Sequence, residues 1–290
     1  MNESSLHVFG FGSDHDSAHM QTIADGAEGT FTYIESDDTV IDAFGGAIGA
    51  QQGVSLKNIR LEILGLEGVT IENSFAGSYN LTATADKKQV KVIYADMYQG
   101  EFRDVLVKLN VPAISTDEPL ISAVATFDYR LSIGVDIRTA CVSNQCSVCR
   151  IFPGEIDPTM EGDVEVDIQI NRMETTAAIK SALRLADVGE FAQAKALIEM
   201  RIQDFKKTVS FRQGGTLVES MLQDLRDTLG SVSDRNEYMH HGGRGASAEI
   251  LGTMSKQRSI YTKTGKAATY QTARSSATQS LACSSKTSNK

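Results

Sequence analysis

Four cysteines in 290 residues are too few for a secreted disulfide framework, and three of them, Cys141, Cys146 and Cys149, crowd into "CVSNQCSVC". Reduced thiols are expected. No stretch is apolar for the length a bilayer crossing requires, and the start "MNESSLHVFG" has neither a basic n-region nor a hydrophobic h-region, so the expected address is cytoplasmic or nuclear. Positive charge is scarce as well. With 28 Lys and Arg against 37 Asp and Glu, the net charge of −9 argues against generic binding to nucleic acid or an anionic membrane, whose phosphates must be met by clustered cations. Acidic residues are in turn missing after Glu249, where Lys256, Arg258, Lys263, Lys266, Arg274, Lys286 and Lys290 are scattered among Ser, Thr, Gln and Ala. With little to bury and few aromatics on which bases could stack, residues 255–290 read as a disordered, solubilising basic tail.

Catalytic signatures are absent too. There is no G-x-S-x-G elbow, H-E-x-x-H helix, Walker loop or kinase set, so nucleophilic and metal-hydrolase readings have no starting point. "GFGSDHD" has the Gly-x-Gly of a phosphate loop, but Asp14 and Asp16 would stand beside the bound anion and no Lys-Ser/Thr pair follows. Glycines that shape a turn and aspartates that cap a helix explain it better. His15 and His19 are four residues apart, and Cys141, Cys146 and Cys149 have C-x4-C-x2-C spacing, which makes His15, His19, Cys146 and Cys149 the only metal-ligand candidates. Both sets are short of ligands. A closed zinc site needs four, and the remaining thiol, Cys283, lies far off in the tail. No metal and no cofactor are expected.

What is present begins with a strand-like run at Leu6 to Phe11, a glycine turn, and a helix to about Ala24 capped by Asp14 or Asp16. A second strand at Thr30 to Ile34 and a helix from Asp37 or Asp38 to about Gln52 follow, so the two strands should be parallel neighbours. From Val54 the rhythm changes to short runs of alternating polarity, "NIRLEIL", "VTIENS", "SYNLTAT", "QVKVIYADM", "EFRDVLVKLNV" and "PLISAVATFDYRLS", the pattern of an antiparallel sandwich. "CVSNQCSVCRIFPGEIDPTMEGD" reads as a long loop, broken by Pro153 and Pro158. Apolar stripes at helical spacing then predict two antiparallel helices joined at "VGEF", a third over Leu217 to Leu229 and a short one near Asp234 to His240, with "YMHHGGRG" as a solvated turn.

The run "VFGFGSDHDSAHMQTIADGAEGTFTYIESDDTVIDAFGGAIG" resembles the last third of a von Willebrand factor A domain, in the version found in plant RING-type E3 ubiquitin ligases of the wavy-growth group. In that family the segment is a strand ending in "FGFGSDHD", a helix containing "IAD", a strand like "TFSYIE" and a helix opening D-T-I-x-D-A-F. Phe9 to Asp16, Ile23 to Asp25, Thr30 to Glu35 and Asp38 to Ile48 carry the match here, and "ALRLADVGEFAQAKALIEMR" and Tyr270 to Thr272 extend it. The resemblance implies the last two strands and helices of a Rossmann-like sheet (1–53), a β-sandwich (54–160), an α-hairpin bundle (161–254) and the tail (255–290). By the same alignment the family's metal-site residues fall before Met1, and no RING is present. The resemblance therefore implies a non-catalytic protein–protein interaction module related to the substrate-recognition half of these ligases. The alternatives are a ligase component that works with a RING on another chain, and a truncated product without activity of its own. Protein partners are expected, and the first strand, lacking its outer neighbour, is expected to self-associate.

Overall fold

The structure, a computed structural model, describes residues 5–113, 120–133, 136–148, 161–240, 242–259 and 270. Strand β1 (Val8–Phe11) leads through helix α1 (Ser17–Gly26) to β2 (Phe31–Ile34), and a 3-10 turn at Asp37–Thr39 opens α2 (Val40–Gln52). The α1 amino terminus is capped by Asp16, whose carboxylate accepts from the amides of Ala18 and His19 at 3.1 Å. As the crossover connection requires, β1 and β2 are parallel, with Val8 opposite Phe31 and Phe11 opposite Ile34. Side-chain alternation then divides the faces. Val8, Phe31 and Tyr33 meet Ala24 of α1 on one side, while Phe9 and Ile34 meet the small face of α2, Ala43, Ala47 and Ala50, on the other.

A five-stranded antiparallel sheet follows, in the order β5-β6-β3-β8-β9, built from β3 (Val54–Gly65), β5 (Asn80–Ala83), β6 (Gln89–Tyr98), β8 (Leu120–Ile133) and β9 (Asp136–Val148). A two-stranded ribbon of β4 (Thr70–Phe75) and β7 (Leu106–Asn110) shares its core, Ile71 and Leu109 packing with Ile59, Val92 and Tyr94. The six predicted runs all fall on strands. The seventh strand, β9, corrects the expected loop: Cys141 and Cys146 lie within a regular edge strand whose residues 141–147 are all exposed. Cys149, Pro153 and Pro158 lie outside the described residues.

The remaining helices are α3 (Val164–Asp187), α4 (Phe191–Phe205), α5 (Val209–Gln213), α6 (Thr216–Ser233), α7 (Arg235–His240) and α8 (Gly243–Lys256). Their apolar stripes close on one core, with Ile179, Ile198, Phe205, Met221 and Leu225 fully buried. Gly189, at φ +88°, makes the α3–α4 turn that a side chain would strain. Helix α8 corrects the expected solvated turn at "HHGGRG". It packs Ala248 beside α1 and β2, and Gly242 and Gly245 lie so close to the Tyr33 ring that a Cβ at either would overlap it. The start of the expected tail is corrected as well: Ser255, Lys256, Gln257, Arg258 and Ser259 are buried, because each charge or amide among them finds a partner far back in the chain. The tail beyond Ser259 lies outside the described residues except for Tyr270, whose carbonyl accepts from the Ser259 amide at 3.2 Å.

Candidate functional site

In a parallel α/β unit the loops at the carboxyl ends of the strands converge on a crevice. Here the loop from Gly12 to Asp16 after β1 and Tyr33 near the end of β2 form one wall of a cleft of about 350 Å³. Tyr238 and Met239 of α7, with Gly242, Arg244 and Gly245 at the start of α8, form the other. Arg244 ties the walls together. Its Nε donates to Asp187 at 2.9 Å and its Nη1 lies 3.4 Å from Asp16. The His19 amide, followed by the Arg244 charge, holds the Asp16 carboxyl below the usual carboxylate range, against slight burial. Tyr238 donates to the same Asp187 carboxylate at 2.9 Å. The resulting surface combines the exposed Asp14 and Asp16, the half-exposed Met239, aromatic rings and glycine backbone. Such a mixture suits a polypeptide segment, which offers backbone groups and alternating side chains.

The sequence-predicted ligands are distributed as follows. His15 sits in the cleft wall, its ring 5.9 Å from that of Phe31 and 6.0 Å from that of Tyr33, with Nε2 3.2 Å from the Ser17 hydroxyl. Gly10 makes room for that ring, since a Cβ there would collide with it. His19 is exposed on the first turn of α1. Cys141 and Cys146 are exposed and form no disulfide; five residues apart on a strand, they point to opposite faces of the sheet. The hydrogen bond to Asp128 raises the Cys141 thiol above its ordinary value. Cys149 and Cys283 lie outside the described residues. Among the described residues no group of three or more His, Cys, Asp and Glu side chains could hold a metal ion, and no helix is long and apolar enough to cross a membrane.

Sequence reasoning missed a polar cluster at the amino ends of β1 and β2. Arg258, fully buried, donates through Nε to Glu101 at 2.8 Å and through Nη2 to Asp96 at 2.7 Å, and its guanidinium lies 4.2 Å from the centroid of the Tyr98 ring. Lys256 reaches Asp25 at 2.8 Å, the Ala24 carbonyl at 3.0 Å and the Gly29 carbonyl. Gln257 holds the Asp104 amide at 2.7 Å. The segment after α8 thus joins the parallel unit, the five-stranded sheet and the β6–β7 connection. Buried charges persist only when their hydrogen-bonding capacity is filled, and here Arg258 also reaches the carbonyls of Asp96 and Glu28. His7 completes the cluster. It accepts the Thr30 amide at Nδ1 and meets the Tyr98 hydroxyl at 2.7 Å through Nε2. Burial, then the Arg258 charge, lowers its pKa to about 4.

No protein-family model and no curated protein matches the chain. Among solved structures, the von Willebrand factor type A protein from Catenulispora acidiphila is similar, with a TM-score of 0.61 and 14% identity over 86% of this chain and 57% of that one. The ArnB paralog VWA2 from Sulfolobus acidocaldarius is also 14% identical, with a TM-score of 0.44, over 87% of this chain and 56% of that one. The first likeness defines the fold as von Willebrand factor A-like, and the chain spans little more than half the length of that structure.

Proposed function

We propose that this chain is a non-catalytic protein–protein interaction module that takes a segment of a partner protein into the cleft at the carboxyl ends of β1 and β2. We further assign the module to a group related to the substrate-recognition half of plant von Willebrand factor A/RING ligases. The observation that carries the reading is the cleft itself. It lies at the strand ends where α/β folds gather ligands, and its mixed acidic, aromatic and thioether lining favours a neutral or basic peptide segment. The "FGFGSDHD" motif, which builds one wall, is also the strongest element of the sequence resemblance.

The test is quantitative affinity capture with the full chain against Asp14→Lys and Met239→Asp. Both residues line the cleft, and neither belongs to the buried cluster. Capture should fall at least about tenfold with each variant, the loss expected when a central contact is removed. Undiminished capture would overturn the assignment of the cleft. With E1, a panel of E2 enzymes and ubiquitin, the isolated chain should give no chain formation above background; robust formation would contradict a non-catalytic module.

A further inference from the structure

The turn between α1 and β2, at the end of the parallel unit opposite the cleft, borders a second cavity of about 400 Å³. Asp25, Gly26 and Glu28 of that turn line it together with Asn58 of β3, Ser78 of the β4–β5 turn and Asn80 of β5. The five-stranded sheet opens to make this space. Lys57 lies opposite Asp96 and Ile59 opposite Tyr94, but the pair between them, Asn58 and Ala95, is not joined. The Ala95 amide donates instead to the Glu28 carboxylate at 2.6 Å. Glu28 and Asn58, at φ +54° and +50°, both hold left-handed backbone that glycine would adopt without strain. Neither is glycine, and both line the cavity.

The lining is rich in acceptors and includes no cation. Glu28 spends one carboxylate oxygen on the Ala95 amide, and Asp25 uses one oxygen for both Gln21 and Lys256, so each has a second oxygen to offer. Among the described residues the side chains of Asn58 and Asn80 and the enclosed Ser78 hydroxyl have no hydrogen-bond partner. Gly26 ends α1, whose carboxyl terminus carries the negative end of the helix dipole with no basic residue in its last turn. The cations whose field reaches Glu28 are Arg258 and Lys256, and they are held by Asp96, Glu101 and Asp25. Burial keeps the Glu28 carboxyl above its ordinary range, a cost that a cation in the cavity would relieve.

We propose that this cavity binds an organic cation rich in N–H donors, the guanidinium or ammonium group carried by a basic side chain of a partner or by a free polyamine. Acceptors that reach the space from separate elements suit a group that donates in several directions at once. A guanidinium presents five N–H groups in a planar fork and an ammonium three, and neither accepts. The alkyl stem that carries such a group has Ile93 and the Tyr94 ring to lie against. An anion would meet two carboxylates. A divalent ion is not matched either, because it needs several oxygens drawn tightly around one point and no such group of acidic ligands occurs among the described residues.

The experiment is an NMR titration of the isotope-labelled full chain with Nα-acetyl-arginine amide up to about 10 mM, a range suited to a single charged side chain. Spermidine, the neutral isostere Nα-acetyl-citrulline amide and Ca²⁺ are titrated beside it. Saturable shifts centred on the amides of Gly26 to Gly29, Asn58, Ser78 to Asn80 and Ala95, absent with the citrulline amide, support the site, and the tighter of arginine amide and spermidine identifies the source of the cation. Two variants accompany the titration. Glu28→Gln keeps an acceptor for the Ala95 amide but removes the charge, and Asn80→Lys puts a competing cation at an exposed position of the rim. Each should weaken binding at least about tenfold, the loss of one charge-assisted hydrogen bond, with the thermal melt unchanged. If Glu28→Gln melts lower, Asn80→Lys decides alone. No saturable shift at these residues, an equal response to the citrulline amide, a response to Ca²⁺ alone, or binding undisturbed by Asn80→Lys overturns the proposal. None of these outcomes bears on capture at the cleft, which the Asp14 and Met239 variants test separately.

Discussion

Arg258 lies over the Tyr98 ring, its guanidinium carbon 4.2 Å from the ring centroid, and the same guanidinium bridges the buried carboxylates of Asp96 and Glu101. One side chain just past α8 thereby holds β6 and its following loop against the parallel unit. Truncating Arg258→Met would leave the buried Asp96 carboxylate without its cation, while Glu101 keeps Arg103 at 3.0 Å, and breaking a buried pair from one side costs about 3–5 kcal/mol. Urea denaturation should show that loss. A midpoint within experimental error of the wild type would mean that the cluster is not buried as described.

The His7 ring gives the fold an acid limit. Its Nδ1 accepts the Thr30 amide, so a proton added there would face a donor, and burial works in the same direction. The folded pKa of about 4 lies below the unfolded value of 6.5, so the unfolded chain binds more protons between these pH values. Stability is therefore full above about pH 6.5 and falls as pH drops toward 4, by a total on the order of 3 kcal/mol. Denaturation at pH 7.5 and pH 5 should show the fall, and His7→Gln should flatten it. An equally steep fall in the variant would assign it to other groups.

Gly77 and Gly100 separate conformational strain from close contact. Both have positive φ, +65° and +85°, but a Cβ on Gly77 would collide with the Ser255 carbonyl, while nothing lies within 4 Å of the same position on Gly100. Gly100→Ala should cost about 1 kcal/mol from its backbone alone. Gly77→Ala should cost roughly 1–3 kcal/mol more from overpacking. Equal melting temperatures for the two variants would contradict the docking of the last turn of α8 against this turn.

Much of the α/β unit and the helical hairpin was legible because its signals are local: glycine turns, Asp16 as a cap, and apolar spacing along α3 and α4. Strand β9 was not, since an edge strand exposed along residues 141–147 buries neither face and shows no alternation. Helix α8 was hidden by its own glycines, which serve close approach to Tyr33 and read locally as a turn. Lys256 and Arg258 looked like solvated tail charges. Their partners Asp25, Asp96 and Glu101 are more than a hundred residues away, and nothing in the local sequence announces the pairing. The cleft was half legible, because the "GFGSDHD" wall stood out while the α7–α8 wall comes from a segment read as solvent-exposed.

Divalent ions should leave the protein unchanged. The Asp16 carboxylate already accepts two α1 amides and faces Arg244, a positive environment that disfavours a cation. Mg²⁺ dehydrates reluctantly and demands near-octahedral oxygen ligation, which Asp14 and Asp16 do not provide. Thermal melts with excess Mg²⁺, Mn²⁺ or EDTA should superimpose, because a ligand bound to the native state would raise the midpoint by mass action. A rise in the midpoint that Asp14→Ala abolishes would establish a metal site in the cleft.

Hydrogen exchange on the chain with and without a captured partner addresses the interaction surface itself. Binding in the cleft should slow exchange in two sequence-distant segments at once, Gly12 to Ser17 and Tyr238 to Gly245, which line its opposite walls. The fully buried cluster around Arg258 should exchange equally slowly in both states. Protection confined to other surfaces, with both cleft segments unchanged, would contradict an interaction module that binds at the carboxyl ends of β1 and β2.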